Sequence, residues 1–452
     1  MRRRDLIRTA AAGALAAVVP RQTHTAEALG DEQIPWSRGI PLRYRADVAV
    51  IGGGIAGVSA ACAAAKSGAK VTLIERFAIT GGNLTTGGVA SFCGETEGQG
   101  EVFEEIVAEL SKFHAVAPYK PYEQTEARIF DHHVLAIVLQ ELLLRRGVRL
   151  LLHTRFVDVR LKGGRITECI LCGKSGPEAL RANVFIDCTG DADVARGAGF
   201  AVEKGRPQDG LQLPMSMMFF VRELAKGEAG PQLPEGWFQP IRRAEDLPMT
   251  SVWPNGPGGH ALKVKIPMFD STDTGSLTAA EIRARRRIWE VLDYYQRVKG
   301  EPWRYDGASP QIGLREGARI VGDYVLTLAD LRAGKKFDDA IARGVYYLDG
   351  HRPDDDKRTY ILSRDEMRVP PYQIPYRCLV AKDGENLLMA GRCFSAEQLA
   401  LSSARVSTTC SMMGQAAGIA AAECAKRGCA PRQLDGATVR AIVEARGGVL
   451  ES

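Results

Sequence analysis

Three stretches of the chain place residue types at spacings that suit chemistry. In the first, Gly52-Gly53-Gly54-Ile55-Ala56-Gly57 spells G-x-G-x-x-G directly after the apolar run Val48 to Ile51. Gly52 permits a tight turn, Gly54 lets backbone approach a pyrophosphate, and Gly57 lets a following helix pack closely. The free N–H groups and partial positive charge at that helix start suit phosphates. Glu75, with Arg76 beside it, ends a second apolar run, Val71 to Ile74, 18 residues beyond Gly57. An acid there binds ribose hydroxyls and repels a ribose phosphate, which disfavours NADP. In the second stretch, Tyr346-Tyr347-Leu348-Asp349-Gly350-His351, Asp349 and His351 share a face if the chain is extended. The carboxylate can then orient the imidazole and leave its other nitrogen as a base, although the RPDDDKR that follows also suits a polar loop. In the third, Arg315 either clamps a substrate oxygen bidentately or joins Glu316 and Arg319 in an ion-pair network.

These groups need a scaffold. Residues 46–76 read strand, glycine turn, Ala-rich helix to about Ser67, strand. GVRLLLHTRFVDVRLKGGRITECIL reads as a meander of strands, and Val184-Phe185-Ile186 runs into Asp187-Cys188-Thr189-Gly190-Asp191-Ala192-Asp193, where Asp191 and Asp193 suit turn and helix-cap roles. A last apolar strand ends at Gly391-Arg392, and a helix of small residues runs from near Val406 to about Cys424. His132 and His133 begin a further helix and suit a structural role. The pattern is α/β with a dinucleotide-binding core.

These segments together resemble the FAD-dependent oxidoreductases of the glutathione-reductase-like superfamily, of two-dinucleotide-fold type, and within them a bacterial group described as FAD-dependent oxidoreductases. The resemblance covers about residues 46 to 425. It implies a Rossmann-type FAD-binding domain of discontinuous segments, 46–200 and 375–452, with an inserted α+β substrate or cap domain at 201–374. It places the loop Gly81-Gly82-Asn83-Leu84-Thr85-Thr86-Gly87-Gly88 along the ribityl chain, its hydroxyls serving phosphate or ribityl oxygens. It implies that Gly190 lets the chain pass close to the cofactor, that Phe156 is near the adenine, and that Gly391 and Arg392 enter a closing segment. There a helix N-terminus, with Arg405, meets the pyrimidine edge of the flavin. Asp349 and His351 match a D-x-H element of the group, and Arg315 an R-E-x-x-R element; Arg377 and Arg392 are further candidates for flavin, substrate or phosphate. No second G-x-G-x-x-G follows a strand, so electrons are expected to pass directly between flavin and substrate. The expected activity is hydride transfer with a small polar organic substrate, an alcohol or carbohydrate, to an electron acceptor the sequence does not name. The alternatives are reduction of an unsaturated carboxylic acid, or a redox-silent flavin-binding role in maturation.

Composition fits a globular enzyme: 452 residues, 45% hydrophobic and 25% charged. The net charge of +5 is partly local, since five arginines against Asp5 and Glu27 in residues 1–28 supply +3 of it. Nothing in the remaining charge calls for nucleic acid. Residues 1–28 combine a basic start, a short apolar run and small residues at Ala26 and Ala28, which is an export signal. RRRDLIR resembles a twin-arginine signal, implying a periplasmic, folded-state route. No run is long enough to span a membrane. Cys169 and Cys172 fall on opposite faces of a strand without partners for a metal site, so packing is expected of them and of the single cysteines.

Overall fold

The computed structural model describes residues 34–35, 37–122, 127–230 and 232–451; the expected export signal at 1–28 lies outside the described residues. The chain divides into two units, Met1–Gly39 and Ile40–Ser452. The first has no helix or strand among its described residues, and the second holds every element described.

Val48 to Ile51 form the buried end of a strand, Leu42–Ile51. Val71–Ile74 pairs parallel on one side of it and Gly176–Asp187 parallel on the other. Unbroken apolar runs are what a parallel sheet covered on both faces demands. Arg149–Leu151 extends the sheet beyond Val71–Ile74. The meander continues through Arg155–Lys162 and Arg165–Gly173, paired antiparallel back to Gly176–Asp187. Leu387–Met389 then returns from far along the chain to pair parallel with Gly176–Asp187. The fold is α/β, with a Rossmann-like parallel core assembled from distant segments.

Helix Ile55–Lys66 lies against the closing helix, Ser407–Arg427. A Cβ at Gly414 or Gly418 would stand 2.1 Å from the carbonyl oxygens of Ala56 and Ala60. The small residues of both helices therefore serve contact between backbones, which brings both helix N-termini to one end of the sheet.

A second core lies within the expected insert. Four antiparallel strands run in the order Thr250–Pro254, Gly259–Ile266, Met215–Glu223 and Trp303–Ala308. Met215, Met217, Phe219, Leu262 and Val264 face helix Thr274–Arg297, packing on its Ala284, Ile288 and Val291. Strand alternation turns Ser216, Met218, Phe220, Lys263 and Lys265 to the other face. Val202–Lys204 and Ala318–Ile320 pair antiparallel at the neck of this insert. Beyond that neck, Ile320, Leu331, Ile341 and Leu348 pack into the first core, so the part of the 201–374 stretch that follows Ala318 is shared with the sheet domain. No helix of the described residues is long and apolar enough to cross a membrane. Cys169 is buried and Cys172 exposed, on opposite faces as the strand requires.

Candidate functional site

The glycine turn is built as its spacing demands. Gly52 has φ +103°, and a Cβ on it would meet the Cys188 carbonyl oxygen at 2.4 Å. A Cβ on Gly57 would sit 1.9 Å from the Gly52 carbonyl oxygen, so Gly57 lets the helix seat on the turn and does not itself line the cleft. Gly54 differs: a Cβ there would find nothing within 4 Å. Gly54 is also the N-cap of helix Ile55–Lys66, and no side chain caps that helix. Uncapped N–H groups beside open space are the cradle a pyrophosphate fills.

Glu75 and Arg76 line the same cleft. The Glu75 carboxylate accepts from Gly53 N at 2.7 Å and Phe77 N at 3.0 Å, tying the second strand to the turn, and burial raises its pKa. Arg76 stands 4.8 Å over the Phe77 ring. Gly81, Gly82 and Asn83 form the adjoining wall. The hydroxyls expected to serve a ligand are engaged within this loop: Thr85 donates to Thr80 O at 2.7 Å and Thr86 to Gly82 O at 2.8 Å. A tight glycine loop leaves carbonyls unpaired, and these side chains satisfy them. Asn83 is likewise tied, its Nδ2 donating to Leu314 O at 2.7 Å, which joins the loop to the end of the insert.

In the T-G-D turn the capping falls to Asp187, whose carboxylate accepts from Val194 N at 3.0 Å, Ala195 N at 3.2 Å and Thr189 Oγ1 at 2.7 Å. Neither Asp191 nor Asp193 caps the short helix Asp193–Gly197, because its N-cap is Ala192. Asp193 lines the cleft, and burial together with Asp191 and Asp187 pushes its carboxyl up to about 6. Gly190, at φ +79°, leaves room for the Arg392 guanidinium, which would lie 2.4 Å from a Cβ; Arg392 in turn reaches Asp191 at 3.3 Å. Phe156 lines the cleft next to Gly197. Gly391, Arg392 and Arg405 complete it, along with Val406, Ser407 and Cys410. The closing helix begins here with Val406 as N-cap and no side-chain cap. A short helix, Gln398–Ala404, precedes it; the sequence does not announce it, because it is two buried turns without periodicity.

The model of the family described as FAD dependent oxidoreductase matches residues 47–443. The chain belongs to this family. Cinnamate reductase of Clostridium sporogenes is 43% identical over 63 residues, 14% of this chain and 10% of that protein, so the chain spans about a tenth of the curated relative it matches. A geranylgeranyl bacteriochlorophyll reductase-like protein of Thermoplasma acidophilum aligns at 12% identity over 89% of this chain and 84% of its own, with a TM-score of 0.47. The anhydrotetracycline hydroxylase OxyS of Streptomyces rimosus aligns at 15% identity over 88% of this chain and 67% of its own, with a TM-score of 0.44.

In this FAD-dependent oxidoreductase a cluster of polar and aromatic side chains lies behind one wall of the cleft, and the candidate inner pocket is the space they enclose. Cys93 and Arg405 line the cleft. Behind them, Arg405 Nη2 pairs with Asp349 Oδ2 at 2.7 Å, and His351 Nε2 meets Asp349 Oδ1 at 2.9 Å. The sequence-expected Asp–His pair thus forms, but it stands one residue back from the cleft, with Arg405 between. His351 is 1% exposed, and its Nδ1 has no hydrogen-bond partner among the described residues. Burial, aided by Arg315 and opposed by Asp349, takes the imidazole down to about 4, so it is neutral at pH 7. Burial opposes ionisation of Asp349, yet the His351 imidazole and the Arg405 and Arg315 guanidinium groups hold its carboxyl well below the usual carboxylate range. Tyr346, Tyr347 and Tyr360 border this cluster: ring centroids of Tyr346 and Tyr347 are 4.4 Å apart, and Tyr360 lies 5.1 Å from His351.

The two roles left open for the Arg315 segment separate in space. Arg319 and Glu316 form a buried ion pair, and Glu316 also accepts from Gly205 N at 3.0 Å and Gln398 Nε2 at 2.7 Å. Arg315 points elsewhere, its Nη1 donating to Pro214 O at 2.8 Å and Ser216 Oγ at 2.5 Å. Arg377 does not line the cleft: it pairs with Asp339 at 2.9 Å, half-exposed, over the Tyr324 ring. Its nearness in sequence to the closing strand misleads because its side chain enters a separate cavity shared with Asp339, Asp323 and Arg432. His132 stacks on Phe220 at 5.3 Å and is pushed down to about 4, chiefly by burial. Lys263 escapes the sequence-based reasoning altogether, although two lysines alternating through the apolar strand GHALKVKI are a legible signal for an inward charge.

Proposed function

We propose that this enzyme exchanges hydride between FAD and a small polar organic molecule seated in the inner pocket. The observation that carries it is Arg405, one guanidinium that lines the cofactor cleft and also pairs with Asp349 in the pocket behind. FAD supplies the hydride chemistry. The chain supplies the rest: the Gly54 turn takes the pyrophosphate, Glu75 the ribose, Phe156 the adenine, and Arg405 with the closing helix start the pyrimidine edge. Neutral His351, oriented by Asp349, is placed to hold a substrate proton at Nδ1. The RRRDLIR start supports export by the twin-arginine route as part of the same proposal.

A visible spectrum of the purified chain, followed by anaerobic addition of pooled polyols, sugars, amines and hydroxy acids, tests this reading. A flavin band bleached by one pool names the substrate class. A band that nothing bleaches, but that an unsaturated acid restores after chemical reduction, assigns the reductase direction, a reading favoured by the surplus of cations around Asp349. A flavin inert in both directions means the redox-silent role, and a chain that holds no FAD overturns the proposal.

A further inference from the structure

The strand Gly259–Ile266 sends Lys263 and Lys265 to the face turned away from helix Thr274–Arg297. Lys265 is accounted for, since its Nζ donates to Arg358 O at 2.7 Å. Lys263 is not. Among the described residues it makes neither a hydrogen bond nor an ion pair. It keeps some accessible surface while enclosed by protein, as a side chain does when it lines an internal space. Lys263 pairs across the sheet with Met218, on the same face as Ser216, whose Oγ accepts from Arg315 Nη1, so the two cations share this face; burial first, and then Arg315, pull the Lys263 ammonium down, while Asp349 opposes them.

The charges of this pocket do not balance. Arg315 uses only Nη1, on the neutral acceptors Pro214 O and Ser216 Oγ; its Nε and Nη2 find no acceptor among the described residues. Asp349 is the carboxylate that acts on all three cations, and its two oxygens are taken by His351 and Arg405. Partly enclosed, an ammonium and half a guanidinium with no protein acceptor favour an anion that reaches them through the accessible surface they keep. The cleft at Gly54 stands apart and has its own donors for phosphate.

We propose that Lys263 and Arg315 bind the carboxylate of an organic-acid substrate. Arg315 presents paired N–H groups to a planar carboxylate, and Lys263 adds a point charge. Tyr346, Tyr347 and Tyr360 cover the body of the molecule, which distinguishes an organic acid from an inorganic anion. This rests on the reading that substrate occupies the inner pocket, and it replaces the alcohol or carbohydrate expected from sequence with an acid.

The test uses the FAD-loaded full chain, titrated with sodium propionate, acrylate, succinate and benzoate, with the matching amides, and with inorganic phosphate, while the flavin band is followed. A saturable shift with at least one acid and with none of the amides is expected. Its dissociation constant should weaken at least tenfold in Lys263→Met and recover in Lys263→Arg, with FAD content unchanged. Amides or phosphate acting as well as the acids, no response to any acid, or undiminished binding in Lys263→Met would each overturn it. If the chain holds no FAD, the hydride-transfer reading falls, and melting of the flavin-free chain still decides this one: acids raise Tm in the wild type and not in Lys263→Met, or the site is refuted. Should Lys263→Met not fold, the contrast of acid and amide on the wild type decides.

Discussion

Arg405 and Asp349 meet at 2.7 Å although 56 residues separate them, each with 13% of its side chain exposed. The pair stands where the closing helix start adjoins the inner pocket, so it couples the cofactor cleft to the candidate substrate site. The Arg405 Nε has no partner among the described residues, and Nη2 donates to Asp349 alone, to its carboxylate and at 3.5 Å to its carbonyl oxygen.

Asp349→Asn therefore strands a buried guanidinium. Loss of one partner of such a pair costs about 3–5 kcal/mol, measured as a lower urea midpoint with unchanged slope. A midpoint equal to the wild type would show that the pair is solvated.

His351→Ala should retain FAD and slow substrate-driven flavin bleaching by about 10²–10⁴-fold, the usual contribution of a general base. Stopped-flow at saturating substrate decides; a wild-type rate removes His351 from proton transfer.

The same histidine predicts a pH effect on stability. Its folded pKa, about 4, lies below the unfolded value of about 6.5. The stabilisation is thus complete above about pH 6.5 and is lost as pH falls toward 4. At pH 5 the wild type should have lost about 2 kcal/mol relative to His351→Gln, compared with pH 7.5. Asp193, with its raised pKa, acts in the opposite direction in both proteins, so the difference between them is the quantity to measure. A pH-independent difference would mean the imidazole is accessible to protons when folded.

Glycine variants should separate holding the cofactor from holding the fold. Gly54→Val puts its side chain into open cleft, so the protein should purify without FAD and melt close to the flavin-free wild type. Gly414→Val drives a side chain into the Ala56 carbonyl and should lower Tm sharply. Full FAD occupancy in Gly54→Val would misplace the phosphate cradle.

Arg377→Ala removes a half-exposed ion pair with Asp339, worth about 0–1 kcal/mol. FAD content and bleaching rate should stay within about twofold of the wild type; a larger loss would return Arg377 to the site.

Much of the backbone that lines the candidate cofactor cleft was legible because backbone constraint is local. A turn with φ +103° at Gly52, a helix seated on it at Gly57, and an acid at the end of the next strand are all written within 24 residues. The strand runs and the small-residue helix were likewise readable, since burial on two faces imposes unbroken apolar runs and close helix contact imposes small side chains. The Asp349–His351 contact followed from the two-residue period of extended chain.

What the tertiary structure alone decided is which buried polar groups share a space. That Asp187, not Asp191 or Asp193, takes the free N–H groups of Val194 and Ala195, that Thr85 and Thr86 bond their own loop, and that Arg315 parts from Glu316 depend on which donors the fold brings within hydrogen-bond reach. Lys263, Arg315, Asp349 and Arg405 come from four separate segments, and no periodicity relates them. Charge balance is a sum over neighbours in space, so the uncompensated cations at Lys263 and Arg315 existed only once the fold brought these segments together.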